Sequence, residues 1–214
     1  RQRQMCIRDR DKIDYILVNG AECEPYLTSD YRQMLERSEE IVGGLKVILH
    51  IFDKAKGLIC IEDNKPEAIA KMQEAVKDED RIEVKVLKTK YPQGGEKQLI
   101  VAITGREVPP PPALPIDVGA VVCNASTTYA VYQAVQKHKP LIERVVTITG
   151  KGVREPKNLL TRMGTPVEAL IEAAGGLPAD AGKVINGGPM MGRAMVNLAS
   201  PVTKGCSGIT VMSG

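Results

Sequence analysis

Tryptophan is absent from this 214-residue chain, phenylalanine occurs once, and aromatic residues make up 3% of it. That poverty removes the stacking platforms on which single-stranded nucleic-acid binders depend. No apolar run approaches the roughly 20 residues of a membrane-spanning helix, and no signal-type segment opens the sequence. The two histidines, His50 and His138, have no second ligand or nucleophile near them in sequence, which argues against a metal or acid–base role for either. The five cysteines (Cys6, Cys23, Cys60, Cys123, Cys206) form no C-x-x-C pair, so this sequence offers neither a zinc ribbon nor the ligands of an iron–sulfur cluster. Scattered single thiols in apolar surroundings point instead to reduced, buried cysteines. Excess charge is missing too. The formal +3 resides in residues 1–10, which hold four Arg and one Asp; from Asp11 onward 25 basic residues balance 25 acidic ones. The chain therefore lacks the basic footprint of a nucleic-acid partner.

What is present is organised around Lys88-Thr89-Lys90-Tyr91-Pro92-Gln93-Gly94-Gly95-Glu96-Lys97-Gln98-Leu99-Ile100. The alternating run Ile82–Leu87 before it reads as a half-buried strand, and Gln98–Ala102 after it as the first turns of a helix. A strand, a glycine loop and a helix start bring backbone N–H groups and a positive helix end to an anion. Glu96 and Lys97 stand at the mouth, one an acceptor and the other a donor. An ordinary strand-to-helix turn with a solvated Glu-Lys pair has the same pattern.

The flanking sequence alternates strand and helix. Ile13–Val18 is a mostly apolar strand ending at Asn19-Gly20, followed by Glu22 and Glu24 in an i, i+2 pair of the kind that lines a pocket or merely decorates a surface loop. Residues 30–49 carry one apolar face and read as a helix that Gly43-Gly44 weakens at its centre. Gly57–Ile61 is a strand, closed by Glu62-Asp63-Asn64-Lys65, and Pro66 suits the first position of the next helix. This order predicts an α/β fold with a Rossmann-like, doubly wound parallel sheet. The four consecutive prolines within Val108–Pro115 favour a stiff polyproline connector and exclude helix or central strand. Beyond it come the strand Gly119–Cys123 and a polar cluster, Asn124-Ala125-Ser126-Thr127-Thr128, with N-cap chemistry.

From Arg144 the texture changes. Strands at 144–150 and 153–160, a helix with Thr165 as N-cap, Pro166 at its first position and Gly175-Gly176 closing it, and a return strand at 183–186 predict a small β-grasp module. Gly187-Gly188-Pro189-Met190-Met191-Gly192 reads as a tight turn with two core methionines. Residues 1–10 fit no periodic pattern, and Gly208–Met212 is strand-like up to the last residues. The expectation is a fragment with an unmatched leader (1–10), a first domain (11–140), the β-grasp module (141–200) and a lead-in to a further domain (201–214).

Three blocks in order, Val18-Asn19-Gly20-Ala21-Glu22-Cys23-Glu24-Pro25-Tyr26-Leu27-Thr28, Tyr91-Pro92-Gln93-Gly94-Gly95-Glu96-Lys97 and Asn186-Gly187-Gly188-Pro189-Met190-Met191-Gly192, resemble the C-subunit family of the Rnf electron-transport complexes. That family is related to the NADH-binding flavoprotein subunit of respiratory complex I. The resemblance implies a site for FMN and NAD(H), with hydride passing between them and single electrons continuing to 4Fe-4S clusters. It places the glycine-rich flavin loop ahead of this sequence and the cluster motifs after it. It implies Asn19, Asn124 and Ser126 on the flavin side, Glu22 nearby, and Glu24 at the ribose hydroxyls. Gly94, Gly95, Glu96 and Lys97 would line the slot, Glu96 nearest the reacting rings and Lys97 beside phosphate. The second module resembles the soluble-ligand-binding β-grasp (SLBB) domain. Partners would be the membrane and iron–sulfur subunits of the complex, with ferredoxin reached indirectly, and the location the cytoplasmic face of the inner membrane without a span of its own. A cobalamin-reductase-type paralogue of propanediol-utilising compartments shares these blocks, and an alternative from a different class is a non-catalytic piece whose β-grasp module docks another subunit.

Overall fold

The computed structural model of the chain describes residues 10–214. Residues 1–9, most of the stretch read as a leader, lie outside the described residues. The chain divides into two compact units, one running to Cys23 and again over Gln33–Pro140, the other comprising Glu24–Arg32 and Leu141–Gly214.

The first unit holds four parallel strands: β1 (Tyr15–Asn19), β2 (Lys56–Glu62), β3 (Ile82–Leu87) and β4 (Ala120–Asn124), in the spatial order β3-β2-β1-β4. Helices α1 (Ser29–Glu36), α2 (Ser38–Ile51), α3 (Pro66–Ala75), α4 (Glu96–Thr104) and α5 (Ala125–Gln136) alternate with them. Residues 29–32 of α1 belong to the second unit and the remainder to the first. The sheet is doubly wound because the apolar runs of β1 and β2 serve both faces. Leu17, Leu58 and Cys60 pack with Leu99 and Ile100 of α4 on one side. Ile16, Val18, Ile59 and Ile61, alternate residues on the same strands, are equally buried on the other. Pro66 takes the first turn of α3, where its missing N–H costs nothing.

The expected weak point at Gly43-Gly44 is not one. The break falls at Arg37, between α1 and α2, while the glycines remain inside α2. Their role is close approach to α5. A Cβ on Gly44 would stand 2.0 Å from the backbone oxygen of Thr128, and one on Gly43 would stand 2.6 Å from the Tyr132 ring. The proline-rich connector, residues 108–114, is neither helix nor strand and leads through a 3₁₀ turn (Pro115–Val118) into β4.

The second unit is a mixed five-stranded sheet, β5 (Glu143–Thr149), β6 (Lys157–Arg162), β7 (Ala181–Asn186), β8 (Arg193–Ala194) and β9 (Gly208–Ser213), in the order β6-β5-β9-β7-β8. Helix α6 (Val167–Ala173) buries Val167, Leu170 and Ile171 against Val146, Ile148, Val184, Ile209 and Val211. Three expectations change here. Strand β9, expected in a lead-in over 201–214, is the central strand of this sheet, parallel to β5 and antiparallel to β7. Helix α6 starts at Val167 with Pro166 as its N-cap and no side-chain cap. Thr165 is not needed there because Val167 N donates to Ser200 O and Glu168 N to Leu198 O, so a neighbouring backbone satisfies the first turn. Met190 and Met191 are not core residues; they are 55% and 79% exposed.

The glycine pair in α2 gives a test. In an isolated helix Gly→Ala gains about 1 kcal/mol. Gly44→Ala is expected to lose about 1–3 kcal/mol instead, since its new methyl meets backbone, whereas Gly43→Ala meets a ring that can turn aside and costs less. Urea denaturation of the two variants reads the difference, and equal stabilisation of both would refute the close approach.

Candidate functional site

Strand order β3-β2-β1-β4 means that the chain runs outward from β1 to one side and then returns to the other, so β1 and β4 bound a topological switch point. Open α/β sheets bind ligands at the carboxyl ends of the strands flanking such a point. Asn19 and Asn124 are register partners at those ends.

Asn19 uses both ends of its amide. Its Nδ2 donates to Gly94 O at 2.8 Å and its Oδ1 accepts from Ala21 N at 3.1 Å, which fixes the glycine loop against the end of β1. The fit requires glycine, because a Cβ on Gly94 would lie 2.1 Å from Ala21 O. Gly95 is the N-cap of α4 with extended backbone, and it offers no side-chain cap to the first N–H groups of that helix. Glu96 opens α4 and is exposed. Lys97 is half-buried, and its Nζ donates to Pro109 O at 2.9 Å, tying the helix to the proline connector. On the other side of the switch point Asn124 caps α5, its Oδ1 accepting from Ser126 N at 2.9 Å and Thr127 N at 3.3 Å. Ser126 Oγ accepts from Gln33 Nε2. Glu22 is half-buried in the loop after β1.

The structure thus brings Asn19, Gly94, Gly95 and Glu96 together at one strand end, with Asn124 and Ser126 on the adjoining strand and helix. Glu24 belongs to the second unit. Its carboxylate accepts from the backbone N–H groups of Met190, at 3.1 Å, and Met191, at 2.6 Å. Amide, hydroxyl and helix-start donors at a switch point fit a flavin nucleotide, whose phosphate and ring edge both need them. Among the described residues no group of three or more His, Cys, Asp or Glu could hold a metal ion.

Sequence reasoning missed two supports of the glycine loop. Asp63, just beyond β2, accepts from Thr89 N (3.0 Å), Thr89 Oγ1 (2.7 Å) and Lys88 Nζ (3.2 Å). The Thr89 hydroxyl and amide, then Lys88, hold its carboxyl below the usual range. Glu62, buried at the end of β2, accepts from Lys90 N at 3.3 Å. Burial pushes its carboxyl up, opposed by that amide and by Lys65. The available signal was an acidic pair at a strand's carboxyl end, a pattern that a plain closing turn shares. Burial also pushes the Cys60 thiol up to about 12, against a smaller pull from Lys85, which leaves it inert packing.

The Glu62 shift predicts a pH dependence. A carboxyl raised in the fold contributes its stability below the ordinary glutamate value and loses it as pH rises through the folded value. Glu62→Gln keeps an acceptor for Lys90 N and never ionises. It is expected to be more stable than the parent chain at pH 7 and to lose that advantage below about pH 4. Urea midpoints at matched pH measure this, and a pH-independent difference would contradict it.

The family model of the Nuo51 FMN-binding domain matches residues 4–133, and that of the SLBB domain matches residues 145–194. The chain is 51% identical over 198 residues to the C subunit of the proton-translocating ferredoxin:NAD(+) oxidoreductase complex of Clostridium ljungdahlii, covering 92% of this chain and 43% of the relative. It is 44% identical over 210 residues to the C subunit of the Na(+)-translocating ferredoxin:NAD(+) oxidoreductase complex of Acetobacterium woodii, covering 98% and 47%. The C subunit of an ion-translocating oxidoreductase complex of Cronobacter sakazakii is 44% identical over 91% of this chain and 25% of its own. The chain therefore spans less than half the length of each of these relatives. In fold it resembles a chain of an NAD+-reducing NiFe-hydrogenase, solved in H2-reduced and air-oxidized states, with TM-scores of 0.78 and 0.77 at 19% identity, over 98% of this chain and 42% of the other. With a Rossmann-like sheet followed by a mixed β-grasp sheet, both family models in that order and relatives at 44–51% identity, the chain belongs to the Nuo51 FMN-binding-domain family and, within it, to the C subunits of ion-translocating oxidoreductase complexes.

Proposed function

We propose that the chain is the FMN- and NAD(H)-binding part of an electron-transfer subunit in a ferredoxin:NAD oxidoreductase complex. The observation that carries this is the Asn19 amide, which pins the Gly94-Gly95 loop to β1 opposite Asn124 at the switch point of the sheet. FMN, when bound, supplies the chemistry of accepting a hydride and releasing single electrons. The residues of this chain bind and orient.

Gly94 and Gly95 let the nucleotide approach backbone, and the start of α4 offers N–H groups and its positive dipole end to an anion. Asn19 and Asn124, register partners at the ends of β1 and β4, fix the glycine loop and the start of α5 respectively. Ser126, at the second position of α5, contributes a hydroxyl on the flavin side, with Glu22 on the loop after β1. Glu96 is exposed at the first turn of α4, and in this reading its carboxylate serves the nicotinamide side of the slot. Lys97 has two ammonium protons beyond its bond to Pro109 O for a phosphate. Each Glu24 oxygen has a lone pair beyond its bond to the 190–191 backbone, which is the acceptor capacity a ribose hydroxyl needs. A groove of about 510 Å³ beside this loop, lined in part by Tyr91, Pro92, Gln98 and Val101, has the volume of a small-molecule site.

No helix among the described residues is long and apolar enough to cross a membrane. In the proposed assembly the subunit is peripheral, on the cytoplasmic face, and is held there by the membrane and iron–sulfur subunits. In this reading 4Fe-4S clusters outside these 214 residues carry the electrons on, and ferredoxin is reached through them.

The full-length subunit tests the reading. It is expected to copurify with or take up FMN, and NADH is expected to bleach the flavin. A chain that takes up no flavin would overturn it. Glu96→Gln separates contact from capping. A cofactor-facing Glu96 is expected to change the flavin-reduction rate or the KM for NADH about tenfold or more in stopped flow, with stability altered by under about 1 kcal/mol. Unchanged rate and affinity would leave Glu96 as a helix-start charge alone.

A further inference from the structure

We propose that the Gly187–Gly192 turn is a backbone receptor for a carboxylate, that its ligand is the chain's own Glu24, and that this bond is the releasable tie of a strap, Glu24–Arg32, on the second unit. The inference shares Glu24 with the proposed function but does not rest on it, and its test reads stability and amide exchange without any cofactor.

The turn has the features of an anion nest. Successive N–H groups of Met190 and Met191 point at one carboxylate, one to each oxygen, at 3.1 and 2.6 Å. Paired amides on an ionised acceptor are the strong kind of hydrogen bond. The surrounding backbone holds the turn open. Gly187 has φ +107° and donates to Gly208 O at 2.7 Å, while Thr210 Oγ1 donates to Gly187 O at 2.8 Å, so β9 fixes the near side. Gly192 N donates to Gly188 O at 2.9 Å and closes the far side. Gly188 leaves the room that the carboxylate fills. The three atoms nearest a Cβ built there all belong to Glu24, beginning with Oε2 at 2.1 Å.

The strap has a second, independent fastening. Leu27 is buried, and a Cβ on Gly208 would stand 2.3 Å from its Cδ2. Thr28 N donates to Thr147 Oγ1 at 3.2 Å, Thr147 Oγ1 donates to Asn158 Oδ1 at 2.7 Å, and Asn158 Nδ2 donates to Thr28 Oγ1 at 3.0 Å. Between the two fastenings lies Tyr26, with φ +71°. A tyrosine holds that left-handed backbone only where both flanks are tied. Leu27 and Thr28 sit in the sheet's own polar and apolar packing, whereas the Glu24 end is half-buried and rests on two hydrogen bonds to a turn whose methionines face solvent. The Glu24 end is therefore the one that opens first.

A double-mutant cycle in the whole chain tests this. The three atoms nearest a Cβ on Gly188 are Oε2, Cδ and Cβ of Glu24, so Gly188→Ala is expected to lower stability in the parent background and to cost clearly less in a Glu24→Ala background, where only the Cβ contact of the three remains. Amide hydrogen exchange supplies the local readout. Met190 and Met191 N–H groups are expected to exchange about tenfold faster or more in Glu24→Ala and by an intermediate factor in Glu24→Gln, which retains one acceptor; β5 and β9 amides keep their rates. Additive costs of the two substitutions, or Met190 and Met191 amides that exchange alike in all three chains, would overturn the proposal. So would a uniform acceleration across the unit, since that is loss of the fold and not release of a tie.

Discussion

One side-chain amide, that of Asn19, makes the parallel sheet and its glycine loop a single object. The sheet alone could end its strands anywhere. With Nδ2 on Gly94 O and Oδ1 on Ala21 N, the loop has no freedom to drift along β1, and the start of α4 is delivered to the strand end. Both glycine spacing and helix position follow from it. Gly94 must lack a side chain because the Asn19 bond draws it onto Ala21 O, and Glu96 and Lys97 are carried to their places by the helix that begins there. The loop's far side is held in turn by Asp63 and Glu62.

The acidic residues named above, three on the first unit and Glu24 on the second, divide into separate kinds of work. Asp63 is an anchor, exposed but saturated with donors, and keeps its charge readily. Glu62 does a similar task from a buried position, where charge is costly. Glu96 is exposed at a positive helix end, where the dipole attracts a negative side chain. Glu24 is engaged by backbone alone. Identical chemistry is thus sorted by burial and by the donors within reach, and that sorting makes only some of these carboxylates accessible to a ligand.

Much of the fold could be read from residue pattern. The apolar runs of β1 and β2, Pro66 at a helix start, the alternation of Ile82–Leu87 and the N-cap chemistry of Asn124 are local signals, and each stands where the pattern placed it. What escaped was non-local. Gly43-Gly44 looks like a helix defect until α5 is brought against it; Thr165 looks like a cap until residues 198–200 supply carbonyls in its stead. Strand β9 was visible as a strand, but its central place between β5 and β7 depends on pairings across more than twenty residues. For the site, the Gly94-Gly95 loop and Asn19 were legible as candidates, whereas Glu62, Asp63 and the partner of Glu24 were not, because strand ends and turns distant in sequence meet only in the folded chain.

The discontinuity of the second unit has a consequence for synthesis. Glu24 and Met191 are 167 positions apart, and the first-unit strands β2, β3 and β4 all lie between them. At about 5–20 residues per second, the strap emerges from a ribosome on the order of ten seconds before its receptor exists. During that interval Leu27 has no Gly208 to cover it, and Tyr26 has no reason to hold a left-handed backbone. The nascent first unit can build its parallel sheet with the strap as a slack loop after β1, and the loop becomes structure only when the last strand, β9, has been made.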